Sequence, residues 1–204
     1  MKRFLGVSIA LVLALTMSLV MAAAPQEIVR ETTDNVLARV KNDKDTLRAD
    51  PGKMFDLVSE LIFPHFDFAV MSQWVLGDNW GSADEATRTA FVAQFRKLLV
   101  RTYATALLEF SDQTISYPAT KTQGAASTAT VRQEISQPGA EIIPVVYRLH
   151  NKTGDWKVFD VSVDGVSLIK TYRASFGSMI KTDGLSGLIK SLDSKNHQYA
   201  SHAQ

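Results

Sequence analysis

Three sets of side chains in this 204-residue chain have types and spacings that chemistry would require. His65-x-Asp67 sets an imidazole two residues from a carboxylate that could orient it as a general base. Gly165-Val166-Ser167-Leu168-Ile169 opens like the strained turn that presents a nucleophilic serine. Arg96, Lys97 and Arg101 cluster on one side of a helical stretch, where they could dock an acidic partner or an anionic surface. Each has a plainer reading. The loop around His65 is bounded by Pro64 and crowded by aromatics, with no nucleophile nearby in sequence. Ile169 stands where the serine motif needs its second glycine, so Ser167 reads better as a helix cap. The three cations read first as a solvated helix face. His150 alternates with inward-facing residues and is expected on the outer face, while His197 and His202 have no ligand-spaced partner, so no metal site is expected.

The elements that position these groups follow from periodicity. Between Pro144 and Phe176 the order is strand, turn, strand, turn, helix. Val145, Tyr147 and Leu149 alternate with Val146, Arg148 and His150, the period-2 pattern of a half-buried strand. Along Trp156 to Val163 the apolar phase slips, which predicts a bulge near Asp160. Asp164-Gly165 ends that strand, and Leu168, Ile169, Tyr172, Phe176, Met179 and Ile180 then recur at helical spacing. Earlier strands are expected around Ile115–Tyr117 and Ala129–Ile135, with Ala129, Val131 and Ile135 on one face.

Upstream, helices are expected from Pro25 to Leu47, from Pro51 to before Pro64, and over Asp67–Leu76 with Gly77 as C-cap. The longest helix is expected to open at Ser82, in capping-box spacing with Glu85, and to end near Phe110. After Asp183-Gly184 breaks the chain, a last helix carries Leu185, Leu188, Ile189 and Leu192. Helices, an antiparallel four-stranded meander, then helices again make this an α+β fold. Residues 24–194 are expected to form one domain and 195–204 a flexible polar tail.

The amino terminus carries an address. Lys2 and Arg3 precede an apolar run from Phe4 to Val20, followed by Ala22, Ala23 and Ala24, the order of a cleaved secretory signal over residues 1–23. The absence of cysteine leaves an exported chain without disulfides, and about 180 residues suffice for a core that needs none. Removing Lys2 and Arg3 takes the formal charge from +1 to −1, which argues against nucleic acid as a partner.

What remains is an excess of apolar side chains. Phe63, Phe66, Phe68, Met71, Trp74 and Trp80 crowd one stretch, and each later element adds another apolar face. For any single residue a core role is the plainer account. Together they can leave a gap between a sheet and several helices, and such a gap is what a dry ligand pocket needs. Arg173, between Tyr172 and Phe176, would then meet an anionic phosphate group or a surface carboxylate equally well.

Leu76-Gly77 with Trp80, Tyr147-Arg148-Leu149, Trp156-Lys157-Val158 with Asp160-Val161, Gly165-Val166-Ser167-Leu168, Tyr172-Arg173 with Phe176, and Gly184-Leu185 with Leu188-Ile189 occur in a characteristic order. Behind a signal peptide, that series resembles the MlaC, or toluene-tolerance, family of periplasmic phospholipid-binding proteins, from about Phe63 to Leu192. The resemblance implies an NTF2-like cone in which helices and a curved sheet enclose acyl chains. It implies a carrier of phospholipid between outer and inner membranes that maintains outer-membrane asymmetry. Its partners would be an outer-membrane lipoprotein complex and an inner-membrane ABC transporter with an MCE subunit. The chain would act as a periplasmic monomer, not an enzyme, with phospholipid as cargo and no cofactor. The residues expected to contact lipid are Met71, Trp74, Leu98, Tyr103, Val145, Tyr147, Val161, Val163, Ile169, Tyr172, Arg173 and Phe176. Two competing readings are an NTF2-like enzyme using His65 and Asp67 on a small apolar substrate, and a periplasmic adaptor whose apolar faces all close into core.

Overall fold

The computed structural model describes residues 24–110, 113–119, 127–152 and 154–202; the expected signal segment lies outside them. Helix α1 (Pro25–Ala49) starts at a proline whose missing N–H costs nothing in the first turn, and it buries Val29, Val36, Val40 and Leu47. Its helical geometry is interrupted at Asp43 (φ −112°, ψ 17°). Asp50 separates it from α2 (Pro51–Leu61) and caps the latter, accepting from Gly52 N at 2.8 Å. A 3₁₀ turn, Phe63–His65, leads to α3 (Phe68–Leu76), where Asp67 accepts from Val70 N at 2.9 Å. Gly77 ends α3 at φ 56°, in the region that favours glycine.

The long helix does not begin at Ser82. A short helix, α4 (Asp78–Ser82), intervenes, and Ser82 Oγ is spent inside it, donating to Asp78 O at 3.1 Å. Asp84 takes over the capping role for α5 (Glu85–Leu108), accepting from Thr87 N at 2.7 Å.

The sheet is a fully antiparallel meander of β1 (Thr114–Ser116), β2 (Thr128–Ser136), β3 (Ile143–His150), β4 (Lys157–Val163) and β5 (Val166–Ser167). The described residues form five strands where four were expected. Asp164 (φ 49°) and Gly165 (φ 77°) both take positive φ, so the chain turns in two residues and pairs Val166 with Val163. The expected bulge is present: Arg148 pairs with Asp160 but Leu149 pairs with Val158, leaving Phe159 as the extra residue.

Ser167 opens α6 (Leu168–His202), its Oγ accepting from Lys170 N at 3.2 Å and donating to Asp160 Oδ2 at 2.8 Å. It is a capping serine, buried and fully occupied. Gly184 (φ 71°, ψ 172°) breaks the helical geometry within α6 where Asp183-Gly184 was expected to break the chain. Helix continues through the segment expected to be a tail, because Asn196 is buried and donates to Gln94 O of α5 at 3.0 Å.

Three apolar clusters result. One lies among α3, α5 and α6 and holds Phe91, Phe95, Phe176 and Leu188. A second joins α1, α2 and α5 through Val36, Val40, Met54 and Val100. A third joins the start of α1 to the sheet through Val29, Val131, Leu149 and Val161. Strand β4 is covered on both faces: Val158 and Val161 belong to the sheet cluster and Phe159 to the α3–α5–α6 cluster. That double cover explains His150. It is 2% exposed rather than on an open face, and its Nε2 lies 2.9 Å from Asp67 Oδ2.

Candidate functional site

The helix clusters and the sheet cluster do not close on one another. Between them is a cavity of about 360 Å³. Its helical wall comes from Ile28 to Leu37 of α1, Val58 and Ile62 near the end of α2, Phe63 and Phe66, Phe68 and Met71 of α3, and Leu99 to Leu107 of α5. Its sheet wall comes from Ile115, Ile135, Val145, Val158, Val161 and Val163. The volume falls within the roughly 300–1,000 Å³ of small-molecule sites. Tyr103 and Val163 line the cavity and are 38% and 39% exposed, so it reaches the surface between α5 and the end of β4.

Of the twelve residues expected at the site, Met71, Tyr103, Val145, Tyr147, Val161 and Val163 line this cavity. The other six lie elsewhere. Leu98, Ile169 and Phe176 are buried in the α3–α5–α6 cluster, and Tyr172 packs against it with its hydroxyl bonded to that of Tyr103 at the cavity opening. Trp74 is 50% exposed. Arg173 does not line the cavity and makes no ion pair among the described residues: its Nη1 donates to Trp74 O at 3.3 Å, satisfying a carbonyl at the end of α3. From Ile169 to Phe176 the apolar face of α6 packs against α3 and α5, while its first residue, Leu168, lines the cavity.

Sequence reasoning passed over most of the first half of α1, and also Gln133. Gln133 is 2% exposed and lines the cavity, an amide on the inward phase of Ala129, Val131 and Ile135. That polar residue among apolar ones was the available signal. Its Nε2 donates to Thr33 Oγ1 at 3.1 Å and Tyr117 Oη at 3.0 Å, and its Oε1 accepts from Tyr147 Oη at 2.9 Å. Both amide protons are thereby used. Burial, with Tyr117 beside it, holds the Tyr147 phenol well above its ordinary range and keeps it a donor. Burial also raises Tyr103.

The groups weighed for catalysis are committed otherwise. Asp67 gives one oxygen to Val70 N and the other to His150, so it does not orient His65. His65 lines the cavity, its pKa lowered by burial and then by Lys157. Arg96 is not a solvated cation, since its guanidinium lies over the Phe68 and Phe63 rings at 4.7 and 5.4 Å. Among the described residues no three metal-ligating side chains cluster, and no helix is long and apolar enough to cross a membrane.

A meander wrapped by helices around an apolar cavity that opens at one end defines an NTF2-like α+β domain built to enclose a hydrophobic ligand. The sequence signature of the MlaC protein family matches residues 30–194, and the chain belongs to that family. A phospholipid-binding protein from Ralstonia solanacearum, solved with a phospholipid bound, superposes with a TM-score of 0.81 at 33% identity, covering 87% of this chain and 99% of that one. A toluene tolerance protein of Pseudomonas putida is 27% identical over 175 residues, 85% of this chain and 80% of its own length. The intermembrane phospholipid transport system binding protein of Haemophilus influenzae is 23% identical over 187 residues, 90% of this chain and 87% of its own.

Proposed function

We propose that the protein is a periplasmic phospholipid carrier that moves phospholipid between outer and inner membranes and so maintains outer-membrane lipid asymmetry. The observation that carries this reading is the apolar cavity of about 360 Å³ between two well-packed layers. At about 0.8 kcal/mol per methylene, a fatty chain of roughly 15 carbons costs on the order of 12 kcal/mol when bared to water. A carrier must therefore enclose the chain in surroundings that match the bilayer interior. The sheet wall of Val145, Val161 and Val163 and the helical wall of Met71 and Tyr103 supply such surroundings. The headgroup stays near solvent at the Tyr103–Val163 opening, where charge costs least.

No bond is made or broken in this activity, and phospholipid is cargo rather than cofactor. The chain is exported by its amino-terminal signal and works as a monomer. It exchanges lipid with an outer-membrane lipoprotein complex and with an inner-membrane ABC transporter bearing an MCE subunit. The direct test is native mass spectrometry of protein purified from the periplasm, followed by organic extraction. Stoichiometric phospholipid is the expected result. Lipid-free protein that also takes up none from vesicles would overturn the reading and favour an adaptor role.

A further inference from the structure

The polar cluster around Gln133 is a hydrogen-bonded network built into the cavity wall, and its geometry spans a seam. Helix α1 belongs to two clusters at once: Val36, Val40 and Leu47 are held among the helices, and Val29 alone is buried with the sheet. Among the described residues, the side-chain hydrogen bond between α1 and the sheet is the one from Gln133 to Thr33. A second polar contact lands on the same group, the Arg30 guanidinium lying 5.1 Å over the ring of Tyr117, whose hydroxyl Gln133 also reaches. On the sheet side Gln133 is fixed by Tyr147, its diagonal neighbour, since Gln133 pairs with Val145 and Tyr147 with Val131.

We propose that Gln133, braced by Tyr147 and Tyr117 and bonded to Thr33, is a clasp that holds the start of α1 against the sheet and thereby sets how readily cargo leaves. The idea rests on the carrier reading given above. Gln133 acts here as a positioning residue: it fixes a wall and need not touch the lipid. Two kinds of contact meet across the seam. Apolar contacts at Val29 can slide or be replaced by an acyl chain, whereas a buried amide with both protons bonded has one satisfied arrangement and leaves unpaired groups when it opens. A single clasp of this kind closes the seam without stiffening the helical wall behind it.

The test uses the full mature chain loaded with a fluorescent phosphatidylethanolamine and mixed with vesicles of phosphatidylethanolamine and phosphatidylglycerol. Thr33→Val keeps the shape and removes the acceptor, Thr33→Ser keeps the hydroxyl, and Tyr147→Phe frees the amide oxygen. Release from Thr33→Val and Tyr147→Phe should be about fivefold faster, the equivalent of one hydrogen bond, with Thr33→Ser near wild type. Amide hydrogen exchange on the same proteins should quicken over residues 28–37 and leave α5 and α6 unchanged. Release rates unchanged in both variants, or exchange raised uniformly over the chain, would make the cluster a structural element only and overturn the clasp. A wild-type protein that takes up no lipid would refute the carrier reading instead. The amide exchange of lipid-free Thr33→Val would still decide the clasp.

Discussion

Replacing Ala104 by Trp separates the cavity from the rest of the core. Ala104 is 6% exposed, lies on α5 and forms part of the cavity wall. An indole brings roughly 200 Å² of apolar surface. Folded into the empty space, that area contributes about 5 kcal/mol at about 25 cal/mol per Å², less about 1–3 kcal/mol for strain where the ring meets packed neighbours. The same ring takes room that about six methylenes of cargo would fill, worth about 5 kcal/mol at about 0.8 each. Lipid affinity should then fall by between three and four decades, at about 1.4 kcal/mol per decade. Stability and binding thus move in opposite directions. Chemical denaturation of delipidated protein should show a variant at least as stable as wild type, while vesicle uptake and co-purified lipid are lost. Ala104→Leu adds three carbons and should weaken binding about fiftyfold, about 2.4 kcal/mol. A folded Ala104→Trp protein that still carries wild-type amounts of lipid would show that cargo lies elsewhere and refute the reasoning.

Other outcomes follow from the same structure. Val145→Asp places a carboxyl on the cavity floor at a position 5% exposed; burial raises its folded-state pKa, so stability should drop as pH rises through that value and recover on acidification, read by urea unfolding at several pH values. His65 shows the opposite slope. Its folded-state pKa is lowered by burial, so the unfolded chain takes the proton first, stability falls as pH drops below about 6.5, and His65→Gln should flatten that part of the profile. Asp67→Ala removes both the α3 cap and the partner of buried His150 and should cost about 2–4 kcal/mol in urea unfolding. Gly77→Ala should cost about 1–3 kcal/mol in thermal melts, because φ is 56° and the new Cβ would lie 2.9 Å from Arg173 Nη2.

The sheet half of the site was legible in the sequence and the helix half largely was not. Val145, Tyr147, Val161 and Val163 could be placed because strand alternation, corrected for one bulge, assigns each side chain to a face, and the meander leaves one concave face to line. Helical periodicity shows only that a stripe is buried, not against what. Tyr172 and Phe176 therefore looked like cavity residues, although Phe176 packs on Phe91 and Phe95, and Tyr172 packs on Phe95 and reaches the cavity only through its contact with Tyr103. The contribution of α1 was invisible for the same reason. His150 was misplaced because alternation presumes an open second face, and near the bulge Phe159 and the start of α3 cover it. Ser167 could be recognised as a cap because its role is local: the hairpin exit and the missing second glycine both lie within five residues of sequence.

The separation of the clusters bears on how such a protein diversifies. Of the buried residues in the α3–α5–α6 cluster, Phe68 and Met71 alone also line the cavity. The aromatic block and the cavity lining are therefore nearly disjoint, whereas the other two clusters lend the cavity several of their own buried residues, Val36, Val100, Val145 and Val161 among them. Mutational drift along the first half of α1 or the inner face of the sheet can widen, shorten or reshape the interior while the aromatic block behind it stays intact. A gene of this design can be duplicated and retuned to a different passenger by a handful of substitutions that leave the aromatic block untouched.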